Sequence, residues 1–411
     1  MNRQSLPNTK LVVKKHLERT VKVEWSKVLN DPRSLTNLKW RFDYLMNMTF
    51  YGMLTGQKTL RHVEDFSENY HERISDSTLY VLLSKIDPEP LRALISKEVK
   101  RALHDHELPK EYFPVRVTAI DGKNASVSKQ SVGSFSQESA CNDTVQYLNR
   151  VLRAAHVSNE TKLILGQREI HGKKNEMSEF IPFVKSLLNL YNKTDLLEVI
   201  SVDAGMISSD NADFLNKNGL KYIMALKNPQ KKLVEMGHEL LGNRENYDEM
   251  TTEYANGKTV TRRLYRCDAP EYPEWPHLKQ FWRIVQDTYK DKVKISSEER
   301  YFVTSLDYSK LNHMQVLQAI RMHWGIENNA NWVFDTAWEE DDRPWCNYGF
   351  TLITLLRVFA YNIISRLKSR RLRQKNDRER SWAGIMSMVN VILIEMRIEN
   401  KMEAFISACN A

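Results

Sequence analysis

The sequence predicts an α/β protein in which helices flank a mixed sheet, and three observations support this fold class. A β-favouring run at residues 115–123 leads to Asp121 and Gly122, and a second such run at 196–205 leads to Asp203. Helical patterns alternate with these runs, and a later helical pattern places Glu327 among aromatic residues. We therefore expect an N-terminal helical domain, a core sheet interrupted by a β-rich insertion before the helix of Glu327, and C-terminal helices.

Size and composition indicate a folded protein with an anionic partner. The chain has 411 residues, enough for roughly two to three domains, and its 42% apolar and 27% charged residues argue against wholesale disorder. Its net charge of +8 favours nucleic acid over a membrane as the partner.

The cysteines and the apolar segments predict a cytoplasmic protein without a membrane span. Cys141, Cys267, Cys346 and Cys409 are scattered, so we interpret them as reduced thiols rather than as a disulfide framework or a zinc site. The first residues lack the apolar stretch of a secretory signal. The most apolar window, residues 349–365, is short for a membrane span and contains an arginine, which favours a buried helix.

The first 113 residues predict a basic arm followed by helices. Residues 1–30 are polar and basic, and they either contact phosphates or form a solvated tail. Residues 31–113 show helical spacing, with a Ser-Asp-Ser-Thr N-cap pattern at 75–78. Short helices joined by a loop are compatible with a helix-turn-helix DNA reader, but the apolar run at 79–83 argues against an exposed recognition helix. Both interpretations stay open.

Residues 114–228 predict the first part of an α/β core. A strand at 115–121 is followed by a Ser-, Gln- and Gly-rich loop at 124–143 and by two strands at 147–156 and 161–170. A helix from about Pro182, with that proline in its first turn, then leads to the Asp203 strand, a helix at 210–218 and a strand at 222–227.

The rest of the chain is expected to hold three regions. Residues 229–310 read as an insertion whose strands form a different, antiparallel sheet. Residues 311–345 hold a helix that starts near Met314 and complete the core, with Glu327 at the edge of its apolar face. Residues 346–411 form C-terminal helices, and the basic run at 366–375 between them is either a DNA contact or an exposed loop.

Three carboxylates on separate elements suit two-metal phosphoryl transfer. Asp121, Asp203 and Glu327 would supply the oxygen ligands that Mg²⁺ prefers. The sequence has no clustered Cys/His set, no serine nucleophile elbow and no P-loop, which disfavours zinc hydrolases, serine hydrolases and P-loop enzymes.

Several short motifs in order carry a resemblance to a known family. They are Ala119-Ile120-Asp121-Gly122-Lys123, Lys174-Asn175-Glu176, Val202-Asp203-Ala204, Ala225-Leu226-Lys227 and Arg321-Met322-His323-Trp324-Gly325-Ile326-Glu327-Asn328. From about residue 31 to 365 the chain resembles the bacterial insertion-sequence DDE transposases, within them the branch that includes the H-repeat-associated proteins.

This resemblance implies an RNase H-like core with Asp121, Asp203 and Glu327 as catalytic residues that bind two Mg²⁺ ions, for which Mn²⁺ can substitute. It implies cleavage at transposon ends and strand transfer into target DNA. The implied partners are double-stranded DNA, as terminal inverted repeats and as target, and further copies of the chain in a dimer or larger assembly. The implied location is the bacterial cytoplasm, at the nucleoid.

Basic side chains near these motifs are the candidate DNA contacts. They are Lys123, Lys227, Arg321, His323, Arg370, Arg371 and Arg373. His323 either hydrogen-bonds near the scissile phosphate or packs as a structural residue. Lys123 and Lys227, placed at strand ends, either bind phosphate or pair with the carboxylates.

The sequence departs from the family pattern at three positions. Asn331 precedes Trp332 where the branch usually has a histidine next to a tryptophan, and Ile320 and Phe334 replace the tyrosine and lysine of the wider superfamily. The DNA contacts of that tyrosine and lysine are therefore not expected here.

Nearby acidic and aromatic residues have alternative interpretations. Asp335 and the acidic run 339–342 read as a solvated helix end or as partners of the basic loop, with metal binding at the third position as the alternative. The pair Glu340-Asp341 matches an acidic pair common in the branch and could support the metal ligands. Trp324, Trp332 and Trp338 are predicted to be core residues.

Two other functions stay open from the sequence. One is a domesticated or inactive transposase that acts as a DNA-binding protein, against which the intact acids count because unneutralised carboxylates repel one another. The other is an RNase H-like nuclease without strand transfer.

Overall fold

One mixed sheet of ten strands runs through the part of the chain that the structure describes. The computed structural model describes residues 8–409 apart from positions 35, 37, 130, 132, 142, 143, 228, 229 and 344. The strands are β1 Val117–Ser128, β2 Ser136–Cys141, β3 Thr144–His156, β4 Leu163–Glu169, β5 Val199–Val202, β6 Lys221–Ala225, β7 Glu249–Ala255, β8 Lys258–Asp268, β9 Gln280–Lys290 and β10 Val293–Thr304.

The helices lie on both faces of this sheet. They are α1 Thr9–Thr20, α2 Trp25–Val28, α3 Phe42–Leu54, α4 Leu60–Tyr70, α5 Asp76–Leu83, α6 Pro90–His104, α7 Glu176–Leu190, α8 Ser209–Lys217, α9 Lys231–Leu241, α10 His313–His323, α11 Trp332–Trp338, α12 Phe350–Arg366, α13 Lys375–Arg378 and α14 Trp382–Cys409. Helices α7, α8 and α9 share one core with one face, and the N- and C-terminal helices share a second core with the other face. The predicted fold class, helices flanking a mixed sheet, is confirmed.

The centre of the sheet combines antiparallel and parallel pairing. Strand β3 pairs antiparallel with β1, β1 pairs parallel with β5, and β5 pairs parallel with β6. The parallel β1–β5 ladder ends where Ile120 lies opposite Val202. This register places the next residue of each strand, Asp121 and Asp203, side by side.

The predicted loop at 124–143 is wrong over much of its length. Strand β1 continues to Ser128, and β2 occupies Ser136–Cys141. Both pair with β3, which has β1 on one edge and β2 on the other. These strands are polar, so their pairing depends on a distant partner and not on a local apolar pattern.

The expectation of a separate sheet in the insertion is also wrong. Residues Phe302–Thr304 of β10 pair antiparallel with β6, so β7–β10 extend the core sheet. Buried residues at the end of β10 provide the junction, while its first eight residues are exposed. A single strand therefore belongs to the core at one end and to the insertion at the other.

One helix begins earlier than predicted, and another lies where no helix was predicted. Helix α7 starts at Glu176, where Asn175 and Ser178 form a capping box, so Pro182 lies inside the helix rather than in its first turn. The expected N-terminal arm contains α1, which buries Val13, His16 and Leu17. The His16 ring lies 2.9 Å from the carbonyl oxygen of Ile363, which holds α1 against α12.

Helix α12 lies inside the protein. The segment Phe350–Arg371 is long and apolar enough to cross a membrane, but 94% of its most apolar window is buried in the fold. It therefore acts as the buried core helix that the sequence predicted.

Candidate active site

Asp121 and Asp203 lie side by side on neighbouring strands. Because side chains alternate between sheet faces, both point to the face that carries Ala119 and Val199, which belong to the core shared with α10. Asp203 follows β5 directly, and its Oδ1 accepts a hydrogen bond of 2.9 Å from the Gly205 amide. Asp121 lies inside β1 and not at its end, where the parallel ladder stops.

Glu327 approaches Asp203 from the helical segment that packs on this face of the sheet. The predicted helix from Met314 is broken after α10, and a π-helix, Ile326–Asn331, carries Glu327 before α11 begins. Leu317 and Ile320 on α10 are buried against the sheet. Glu327, Asp203 and His323 line one cavity of about 570 Å³.

The electrostatics show that the three acids converge. Burial has the largest effect on Asp121, followed by the charges of Glu327, Asp203 and Glu176, and together they raise its pKa to about 7. The neighbouring acids therefore disfavour one another's charged forms.

Glu176 is a fourth carboxylate at the site. It stands in the first turn of α7, and burial and the Asp203 charge raise its pKa. Its motif was quoted from the sequence, but it was given no role. The available signal was the Asn175–Ser178 capping box, which starts the helix at Glu176.

Asn331 connects Asp121 to a buried ion pair. Its Nδ2 donates a hydrogen bond of 3.0 Å to Asp121 Oδ2, and Arg153 reaches its Oδ1 at 3.5 Å. Arg153 pairs with Glu340 at 2.7 Å, and both side chains are 0% exposed. The position that departs from the family pattern thus contacts a predicted catalytic residue. Sequence analysis did not identify Arg153.

Contacts with Arg153 explain the roles of Phe334 and Glu340. The guanidinium of Arg153 lies 3.9 Å from the ring centre of Phe334, so the residue that replaces the superfamily lysine provides its stacking surface. Glu340 is buried at Arg153 rather than solvated or paired with the basic loop. Glu339 instead pairs with Lys58 and Arg343.

The three predicted core tryptophans have different environments. Trp338 is fully buried, and Trp324 lines the cavity with Arg300 lying 5.0 Å from its ring centre. Trp332 is 56% exposed, so the expectation that it is a core residue is wrong. The reason is that the π-helix changes which residues of this segment face the core.

His323 is buried and neutral at physiological pH. Burial lowers its pKa to about 4, an effect that the Asp203 charge partly opposes. Its Nδ1 lies 3.2 Å from Ser201 Oγ, and its Nε2 has no hydrogen-bond partner among the described residues.

The candidate DNA-binding cations occupy different surroundings. Lys123 lies within β1 and pairs with Asp335, and Arg321 pairs with Glu253 of β7. Lys227 is exposed and lines the cavity beside the acids.

The basic run after α12 contacts the end of α6. Arg371 pairs with Asp105 and Glu107, and Arg370 donates to the Glu107 carbonyl oxygen at 3.0 Å. Arg373 is exposed. Much of the positive charge in this run is therefore neutralised within the chain.

The residues fit a divalent cation in donor type and charge. Within the described ranges no three His, Cys, Asp or Glu residues are already grouped tightly enough to hold an ion. The convergent acids nevertheless offer the oxygen donors that Mg²⁺ and Mn²⁺ bind. A bound cation would oppose the repulsion between these acids that, after burial, raises the pKa of Asp121.

A comparison with known families decides where this chain belongs. The model of the family described as "Transposase DDE domain" matches residues 113–363, more than half of the chain. The chain belongs to the DDE transposase domain family. Membership identifies it as a protein of mobile elements with a transposition enzyme's domain, in a family that generally uses divalent metals.

Similar proteins include members of the predicted branch. This transposase-family chain is 25% identical over 347 residues to YncI of Escherichia coli O157:H7, covering 78% of this chain and 80% of YncI. It is 24% identical over 350 residues to the H repeat-associated protein YhhI of Escherichia coli K12, covering 78% and 83%. Both carry provisional transposase names.

The chain is also similar to a solved transposase structure. It is the cryo-EM structure of the piggyBac transposase synaptic complex with hairpin DNA, at 12% identity and a TM-score of 0.47, covering 98% of this chain and 84% of that chain.

Proposed function

We propose that this member of the family is a DNA transposase that cleaves DNA at transposon ends and joins the released end to target DNA. The observation that supports this most directly is the convergence of Asp121, Asp203 and Glu327 from β1, the end of β5 and the helical segment after α10. Family membership provides the reaction class, and these acids provide a site for it.

The proposed chemistry is in-line displacement at phosphorus. In cleavage, a water oxygen bonds to phosphorus and the bond to the 3′ oxygen breaks. In strand transfer, the oxygen of that 3′-hydroxyl bonds to a phosphorus of the target DNA. The bond from that phosphorus to the 3′ oxygen of the target strand breaks. Two bound Mg²⁺ ions, with Mn²⁺ as a substitute, would activate the attacking oxygen and stabilise the departing one.

The protein's own residues have distinct proposed roles. Asp121, Asp203 and Glu327 hold the ions, and Asn331 fixes the orientation of Asp121 through its 3.0 Å hydrogen bond. Neutral His323, with its free Nε2, donates to a phosphate oxygen in the cavity.

We also propose that basic residues bind the DNA backbone, and Lys227 is the strongest candidate. Its exposure and its place at the cavity put a positive charge, with no ion pair to any described residue, next to the acids. Lys123, Arg321, Arg370 and Arg371 would each have to share or exchange their intramolecular partners to do so. Arg373 is free to contact phosphate at the surface, and a dimer or larger assembly would pair two DNA ends.

The decisive experiment separates binding from chemistry. Asp203→Asn removes one proposed ion ligand, so we expect it to bind DNA containing the element's own ends and to lose nicking in Mg²⁺. Asp210→Asn, an exposed acid in the first turn of α8, is the matched control and is expected to nick like the wild type.

Two results would contradict parts of the proposal. Undiminished nicking by Asp203→Asn would refute the assignment of the acids. Nicking without joining of a 3′-hydroxyl end to target DNA would indicate a nuclease of this fold rather than a transposase.

A further inference from the structure

We propose that Glu176 is a fourth carboxylate ligand of the divalent ions, in addition to the three acids predicted from the sequence. This inference rests on the proposed function, because it places Glu176 at the same ion-binding site. It adds an element, the start of α7, that the three-acid arrangement does not use.

Gly122 makes room for the Glu176 carboxylate against β1, at the residue that follows Asp121. Residue 122 faces the side of the sheet opposite to Asp121, where α7 packs. A Cβ atom at position 122 would overlap the Glu176 carboxylate. Only glycine therefore allows this carboxylate to lie against the strand next to Asp121.

Gly205 likewise leaves room for the Glu176 carboxylate, here beside Asp203. A Cβ atom there would lie 3.2 Å from Asp203 Oδ1 and 3.4 Å from Glu176 Oε2. Both carboxylates thus border one small space. Two glycines, each following one of the proposed ion ligands by one or two residues, leave that space open.

The partners of the two acids in the first turn of α7 differ. Glu179 is paired with Arg168 and Lys174, each at 2.6 Å, as expected for a structural carboxylate. Glu176 makes no hydrogen bond or ion pair among the described residues. Burial and the Asp203 charge raise its pKa, and the Arg150 charge partly opposes that effect. A favourable position at a helix N-terminus explains an acidic residue there, but not one directed toward like charges.

A separate observation concerns the cavity that these groups share. His323 is 9% exposed, its Nε2 lacks a hydrogen-bond partner among the described residues, and it lines the cavity with Asp203 and Glu327. Whether Nε2 donates or accepts depends on the tautomer, and in either state a buried ring nitrogen without a partner is costly unless a ligand or a ligand-bound water completes it. The converging acids and this ring nitrogen therefore border one site that suits a polar ligand.

Ion binding by the full-length protein without DNA tests the proposal. Mn²⁺ is titrated by calorimetry, and the unfolding midpoint is followed as a function of Mn²⁺ concentration. We expect Glu176→Gln to weaken Mn²⁺ binding by about tenfold, the effect typical of losing a residue that supports a metal site. Glu176→Asp, which keeps the charge on a shorter arm, should bind with intermediate affinity.

Controls separate this inference from the function on which it rests. Asp210→Asn removes a first-turn carboxylate from α8 and should leave Mn²⁺ affinity unchanged. If Asp203→Asn loses Mn²⁺ binding while both Glu176 variants keep wild-type affinity, the Glu176 proposal is overturned and the proposed function stands. If Asp203→Asn also keeps wild-type affinity, or the wild type binds no Mn²⁺, the proposed function itself fails.

Discussion

At the scale of single residues, the site depends on contacts that join distant parts of the chain. Asp121 and Arg153 lie opposite each other in the β1–β3 ladder, and Asn331 bridges them from the π-helix. The Arg153–Glu340 pair then fixes Arg153 in the core. A polar network of this kind holds a carboxylate in one orientation, which a metal site requires.

Replacing Asn331 tests this network. Asn331→Leu keeps the approximate size but removes the donor to Asp121, so we expect Mn²⁺ affinity and nicking to fall by roughly 10–100-fold. Asn331→His restores a donor and should recover part of the loss. Wild-type Mn²⁺ affinity in Asn331→Leu would show that this contact has no part in positioning Asp121.

At the scale of elements, α12 completes the edge of the sheet. Strand β4 pairs with β3, and its other edge faces the buried side chain of Asn362. Asn362 accepts from the Ile164 amide at 2.8 Å and donates to the Ile164 carbonyl oxygen at 2.9 Å. This side chain thus pairs the backbone of Ile164 as a neighbouring strand would, at an edge of the sheet.

Loss of the Asn362 hydrogen bonds should lower the free energy of unfolding by a measurable amount. Asn362→Leu leaves a buried amide and a buried carbonyl without partners, which should lower the free energy of unfolding by about 1–3 kcal/mol. Urea unfolding measures this change. Asn216→Leu, whose amide bonds only within α8, serves as the control, and an equal loss in both variants would contradict the role assigned to Asn362.

At the scale of the whole molecule, the crowded acids connect the site to global stability. The pKa of Asp121 is raised to about 7 in the folded protein, so the folded state binds more protons than the unfolded state between about pH 4 and pH 7. Stability from this group is therefore greatest at low pH and is lost as the pH rises through 7.

We expect this effect in the metal-free protein. Between pH 5.5 and pH 8, the unfolding midpoint of the wild type should fall relative to that of Asp121→Asn. Comparing the two proteins at each pH cancels the opposite contributions of His16, His156 and His323, whose pKa values burial lowers. Saturating Mg²⁺ should reduce the pH dependence, and a constant difference across this range would contradict the raised pKa.

Much of the fold and the positions of the three acids could be predicted because their signals are local. The β-favouring runs before Asp121 and Asp203 specify strands, and the parallel β1–β5 ladder then makes these acids neighbours. The apolar stripe through Leu317 and Ile320 correctly placed the helix that precedes Glu327 against the sheet.

The rest could not be predicted because it depends on pairing between distant residues. The polar end of β1 becomes a strand only because β3 lies beside it, and β10 joins the core only by pairing with β6. The sequence by itself determined the fold class and the acids that the proposed reaction needs. Only the tertiary structure brought Glu176, Asn331 and Arg153 to those acids and directed Arg370 and Arg371 to the end of α6, because side-chain partners are chosen by three-dimensional proximity and not by separation along the chain.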